Sequence, residues 1–305
     1  MVGTRMLRLA MVAAGTVGGV SGAAYGLLNG QSWYARRAIG EPTGIPLRSD
    51  GVHFPDGTGP VPRPVDGVEP LRLAVLGDSS AAGLGVEAPD ELPGVRIARG
   101  VAEELERPVE LTTYAIVGST SRDLAAQVDA ALVEAPQLVL VIIGANDVTA
   151  RLSVAECAAL LGAAVARLRE AGVGVVAGTC PDLGAIRPIP QPLRSVASSW
   201  SLALGRAQRH AVEAAGGGAV PLADLLSPEF LTRPQELFSP DRFHPSAAGY
   251  EAAAGLLLPA LCSAIGEWQG PPVPQPPVRS AAAEARRPTS RVVARLNRRF
   301  GRQAT

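Results

Sequence analysis

Residues 138–143 read Leu-Val-Leu-Val-Ile-Ile, six apolar side chains without a break, and the chain then reaches Gly144. The run is too short for an ordinary helix and rich in β-branched residues, so it reads as a strand. Strand side chains alternate between faces, and here both sets are apolar, which places the strand in a sheet covered on both sides. Such sheets are parallel, and parallel neighbours need a helical crossover between them. The flanking sequence supplies the crossovers. Residues 71–76, 109–115, 173–179 and, more weakly, 219–223 read as further strands, and residues 91–106, 121–133, 153–171, 194–215 and 246–265 as helices. The expected fold is therefore α/β, three layers with a five-stranded parallel sheet between helices, over residues 71–268.

The flanks are of a different character. No charge falls between Arg8 and Arg36, and residues 9–35 are mostly Ala, Val, Gly and Leu. That exceeds the roughly 20 residues a membrane-spanning helix needs. Residues 1–37 are read as a membrane anchor, with a signal segment cut near Ser21-Gly22-Ala23 as the alternative. Either way the protein is expected to be exported, anchored to the cell membrane or secreted. Gly18, Gly22, Gly26 and Gly30 recur at a spacing that lets two membrane helices approach, which would make the anchor a homodimer contact. Arg5 and Arg8 on one side and Arg36 and Arg37 on the other leave the orientation open. Seven Pro and six Gly within residues 38–70 describe a stalk or a surface strap. Residues 269–305 begin Pro-rich and end basic, with eight Arg against one Glu from Arg279 onward, which leaves a mildly acidic body. There Val292, Leu296 and Phe300 share a helical face; a solvated tail is the expected form and a lipid-touching helix the alternative. The flanks are expected to set location, and the domain to carry the activity.

Composition removes several chemistries. The chain contains no Lys, which excludes Schiff-base, pyridoxal phosphate and lysine-dependent phosphoryl-transfer sites. Its three His (His53, His210, His244) and three Cys (Cys157, Cys180, Cys262) are scattered, so they form no zinc-binding pattern and no complete disulfide framework. Neither a cofactor nor a metal is expected. A formal net charge of zero gives no basic surface for nucleic acid.

In doubly wound sheets ligands bind beyond the carboxyl ends of the strands. The first strand ends in Gly77-Asp78-Ser79, the second runs into Val117-Gly118-Ser119-Thr120, and the third ends in Gly144-Ala145-Asn146-Asp147. Asp241-Arg242-Phe243-His244-Pro245 precedes the last helix. Each has a bland reading alone: Gly118 as a turn residue, Asn146 or Asp147 as a helix cap, His244 as a surface residue. Together they bring a hydroxyl, a carboxylate with an imidazole, and amide donors to one edge of the sheet.

In this order the four blocks resemble the SGNH (GDSL) hydrolase superfamily, and the resemblance covers about residues 71–265. It implies a flavodoxin-like three-layer fold and an acyl-enzyme mechanism. Ser79 would be the nucleophile, His244 the base, and Asp241 the residue that orients the imidazole. Ser79 and Gly118 backbone N–H groups and the Asn146 side chain would form the oxyanion hole. His210, mid-helix, and His53, in the stalk, are left without a role; Asp78 reads as a brace for the turn. The family often carries Asn three residues before its glycine, where this chain has Ala115, so a supporting hydrogen bond is expected to be missing. The implied substrate is a short-chain carboxylic ester, either a small ester or an acylated cell-envelope compound. Phe230, Phe238 and Phe243 are candidates for an acyl wall, and the Pro-rich loop 181–192 for the pocket border. The alternatives are a lipolytic enzyme (a phospholipase or thioesterase) and a binding protein on a catalytically dead scaffold.

Overall fold

The computed structural model describes residues 26–35, 37–40, 46–63, 67, 69–268, 270 and 288–300. Strands are β1 (Gly51–His53), β2 (Leu71–Gly77), β3 (Val109–Thr113), β4 (Leu138–Ile142), β5 (Gly174–Gly178) and β6 (Gly218–Val220). Helices are α1 (residues 26–35), α2 (Pro93–Glu104), α3 (Leu124–Val133), α4 (Ala145–Thr149), α5 (Val154–Glu170), α6 (Leu193–Ala214), α7 (Leu222–Thr232), α8 (Pro234–Leu237), α9 (Ala247–Ala264) and α10 (Pro288–Phe300). The sheet order is β1-β3-β2-β4-β5-β6, with every neighbouring pair parallel except β1 with β3.

The apolar run divides as its alternation requires. Leu138, Leu140 and Ile142 face a core shared with α2, α7 and α9, whereas Val139, Val141 and Ile143 face a second core under α3 and α5. Burying each such side chain contributes roughly 1.5–3 kcal/mol. The five parallel strands are those the sequence pattern gives. The sixth, β1, corrects the expected count and comes from the segment read as a stalk: residues 46–63 lie along the sheet edge, where Val52 pairs with Glu110 and bridges to Val61.

His53 on β1 is fully buried, its Nε2 3.1 Å from the Ser49 carbonyl oxygen and its Nδ1 without a hydrogen-bond partner. Burial lowers its pKa from 6.5; the Ser49 carbonyl opposes the shift and Arg99 adds to it. The unfolded chain therefore binds a proton that the folded one refuses. Stability from this group is complete above its ordinary pKa and declines as the pH falls below it. Urea unfolding at pH 7.5 and 5.5 is expected to show a larger loss of stability in the wild type than in His53→Phe. Equal losses would mean that His53 charges freely in the folded protein.

Described parts of both flanks also pack on the domain. Residues 1–25, which include Gly18, Gly22 and most of the predicted anchor, lie outside the described residues. The remainder of that segment, α1, packs beside α4 and α6: Ala35 is buried, and Leu28 and Ile39 contact the same apolar cluster. Gln31 brackets the start of α6, donating to the Gln191 carbonyl at 2.5 Å and accepting from the Leu193 N–H at 3.0 Å. Arg151 donates to Asn29 at 2.7 Å. At the other end, residues 288–300 form a helix against α6, in place of the expected solvated tail. Its inward residue is Val293, while Val292, assigned to the apolar face, is exposed. Among the described residues one helix, α9, is long and apolar enough to cross a membrane, and it packs on the sheet.

Candidate active site

The chain leaves β2 at Gly77 and turns sharply, so that Ser79 stands at the carboxyl edge of the sheet next to the β2–β4 boundary. This boundary is where the strand order reverses, and it is where ligand crevices form in doubly wound sheets. Ser79 Oγ is 3.0 Å from His244 Nε2, and His244 Nδ1 is 2.6 Å from Asp241 Oδ2. Ser79 and His244 are both buried.

The loop between α8 and α9 is shaped to deliver this pair. Arg242 adopts a left-handed conformation (φ 58°) and the Ser239 N–H donates to the His244 carbonyl at 2.9 Å, which folds residues 239–244 back on themselves. Asp241 Oδ1 then accepts from Ser239 Oγ at 2.7 Å and from the backbone N–H groups of Phe243 and His244 at 2.8 and 2.9 Å. Burial by itself would raise the Asp241 pKa. The hydrogen bonds from His244, Phe243 and Ser239 overcome it and hold the carboxyl well below the usual range. An ionised carboxylate on Nδ1 keeps the proton there, leaving Nε2 to accept from Ser79 Oγ.

Asp78 is buried beneath the turn and accepts from the Ser80 N–H at 2.9 Å. Burial pushes its carboxyl up to about 6, against the Ser80 hydrogen bond and the nearby His244. It braces the turn and does not reach the cleft.

Opposite the nucleophile turn, Gly118 has a φ of +86°, with open space where a side chain would stand. Asn146 Nδ2 donates to the Ser119 carbonyl at 2.9 Å, which engages one of its two N–H groups. Gly118, Asn146, Ser79 and His244 line one cleft of about 720 Å³. The site residues read from the sequence thus converge, whereas His210 is exposed on α6 and His53 lies in β1.

Two residues have roles that the sequence did not reveal. Asp147, read as a cap or an orienting residue, accepts from Ser121 N–H at 2.8 Å and Ser121 Oγ at 2.5 Å, tying α4 to the loop that follows Gly118. Gln127 on α3 grips Gly77 through both backbone groups, at 2.7 and 2.9 Å, and reaches Ser119 Oγ at 3.2 Å. Its signal was a polar side chain on the face set by Leu124, Val128 and Ala131. Ala115 is buried and apolar, and the Gly118 loop is held by these contacts.

The cleft has a wall that lies outside the predicted domain. Ser32, Trp33, Arg37 and Ile39 line it together with Trp200 and Ile189 of the domain. The Arg37 guanidinium sits 5.6 Å from the Trp33 ring centre. The loop 181–192 borders the cleft through Leu183 and Ile189. Of the phenylalanines, Phe243 lies edge-on to His244 with ring centres 4.8 Å apart, and Phe230 packs on Phe238 at 4.9 Å. The three cysteines are buried and unpaired.

A serine hydroxyl, an imidazole and a carboxylate thus stand in one hydrogen-bonded chain at the carboxyl edge of a flavodoxin-like sheet. The profile of the GDSL-like Lipase/Acylhydrolase family matches residues 75–252, and the chain belongs to that family. It is 44% identical over 291 residues to the GDSL-like esterase Rv1075c of Mycobacterium tuberculosis, covering 91% of each chain. The TesA crystal structure aligns with a TM-score of 0.50 and 23% identity, over 64% of this chain and 98% of that one. A catalytic mutant of Axe2, an acetylxylan esterase from Geobacillus stearothermophilus, aligns over 68% and 100% with 21% identity and a TM-score of 0.48. The protein is an ester hydrolase.

Proposed function

We propose that the protein hydrolyses short-chain carboxylic esters through an acyl-enzyme on Ser79. Ser79 Oγ attacks the ester carbonyl while His244 Nε2 takes its proton. The Asp241 carboxylate holds the imidazole tautomer and stabilises the imidazolium. The Ser79 and Gly118 N–H groups and the Asn146 amide receive the oxyanion, each donor contributing about 3–4 kcal/mol. His244 then returns the proton to the leaving alcohol. Water enters, gives its proton to His244, attacks the acyl-enzyme, and the carboxylic acid departs as Ser79 is reprotonated.

The observation that carries this reading is the continuous Ser79–His244–Asp241 chain at 3.0 and 2.6 Å, with Ser79 and His244 lining one cleft. The substrate we favour is a small ester or an acylated cell-envelope compound. The apolar, uncharged residues 9–25, ahead of the part that packs on the domain, support export and a membrane-held or secreted location. The test is hydrolysis of p-nitrophenyl esters from acetate to dodecanoate by the full chain, with a fluorophosphonate to label the nucleophile. We expect the highest turnover on acetate or butyrate and an adduct on Ser79. Turnover that rises past about eight acyl carbons would replace the short-chain reading with the lipolytic one. A folded protein with neither turnover nor adduct would replace it with the binding-protein reading.

A further inference from the structure

The cleft that holds Ser79 and His244 has an apolar neighbour. A second cavity of about 90 Å³ is enclosed by α7, α9 and the loop after β5, and its lining includes Ile97, Ile142, Leu222, Phe230, Ala253 and Leu257. Three of the polar groups at its edge are engaged elsewhere. Tyr250 Oη donates to the Leu84 carbonyl at 2.7 Å, Ser227 Oγ to the Ala223 carbonyl at 2.5 Å, and Asp182 Oδ1 accepts from the Gly184 N–H at 2.8 Å. The rest of the lining, Ser80 apart, is apolar, and apolar cavities admit apolar ligands.

Cleft and cavity are next to each other. Leu183 and Phe243 line both of them. The nucleophile turn also faces both, with Ser79 lining the cleft and Ser80 the cavity. Phe243 adjoins His244 in the chain, and its ring lies edge-on to the imidazole at 4.8 Å. The partition therefore stands beside the reacting atoms.

We infer that Phe243, with Leu183, is a partition that sets acyl-chain length, and that the cavity behind it is a binding site for the alkyl end of a longer acyl group. With the ring in place, the acyl group is kept out of the cavity and lies in the cleft. With the ring removed, the chain extends into this largely apolar cavity, and each methylene buried there is worth about fourfold in kcat/KM. This rests on the assignment of Ser79 as nucleophile.

The test compares kcat/KM for p-nitrophenyl hexanoate and acetate in the full-length protein. In Phe243→Ala the hexanoate-to-acetate ratio is expected to rise about tenfold or more. Leu183→Ala opens the same partition without touching the residue next to His244 in the chain and is expected to raise the ratio in the same direction. Adding Ala253→Leu to Phe243→Ala fills the cavity from α9 and is expected to return the ratio toward the wild-type value. Equal losses on both esters in Phe243→Ala, with an unchanged ratio in Leu183→Ala, would overturn the partition. A ratio that stays high in the double variant would overturn the cavity as the binding site. Wild-type turnover of acetate and the Ser79 adduct separate the two levels. If both are absent, the nucleophile assignment has failed; if both are present and the ratio does not move, only the partition has.

Discussion

Ser79→Ala is expected to lower kcat for p-nitrophenyl acetate by about 10⁴-fold or more while leaving the unfolding midpoint within about 1 kcal/mol of wild type. Among the described residues, the side-chain hydrogen bond lost is that of Ser79 Oγ to His244 Nε2, and alanine leaves the turn's backbone unchanged. His244→Ala is expected to fall as far, because removing the base strands the hydroxyl proton. The sharper result is in the pair. Residues that act as one unit lose almost everything with the first deletion, so Ser79→Ala with His244→Ala should be no slower than either single variant. Steady-state kinetics on the three variants decides it. A loss below tenfold in Ser79→Ala would remove it as nucleophile, and losses that multiply would mean that serine and histidine act separately.

The largest effect on folding is expected from Gly77→Ala. A Cβ at this residue would stand 1.9 Å from the Ile142 carbonyl oxygen, and φ is +137°, a conformation that side chains rarely adopt. The backbone has no room to yield. Gln127 holds its N–H and carbonyl, and the Ile142 oxygen also accepts from the Asp78 N–H at 3.2 Å. A loss of at least about 4 kcal/mol is expected, a large part of the roughly 5–15 kcal/mol that keeps a domain folded. Soluble yield and urea unfolding measure it. Gly255→Ala is the control: it lies in α9 with nothing within 4 Å of the added methyl, so better helix propensity should leave stability equal or slightly higher. A Gly77→Ala protein within about 1 kcal/mol of wild type would mean that the turn can relax.

The elements legible in the sequence were those whose partners are set by local periodicity. The run 138–143 carried its own two-faced alternation, and the helices that cover it had clear apolar faces. Strand β1 did not, because it is three residues long, sits among Pro and Gly, and exists only through pairing with β3, far away in sequence. Helix α7 was hidden by Pro228 in its interior. The reading of α1 shows a different limit: an apolar helix looks the same whether lipid or protein covers it, and Ala35 is covered by protein. In the site, Ser79, Gly118, Asn146, Asp241 and His244 were visible because each lies in a short motif that follows a strand or precedes the last helix of the domain. Gln127, the Asp147–Ser121 tie and the second cavity arise from contacts between distant segments and leave little local trace.

Residues 26–40 add something to the question of processing. They lie wholly after Ser21-Gly22-Ala23, and they supply Trp33, Arg37 and Ile39 to the cleft. A peptidase cutting there would release the enzyme with its cleft intact, so a tethered and a shed form would share one active site and differ only in address. A cut in the Pro-containing stretch after Gly40 would do the opposite, discarding one side of the substrate cleft along with the leader. The described wall of the cleft thus begins some fifty residues before Ser79.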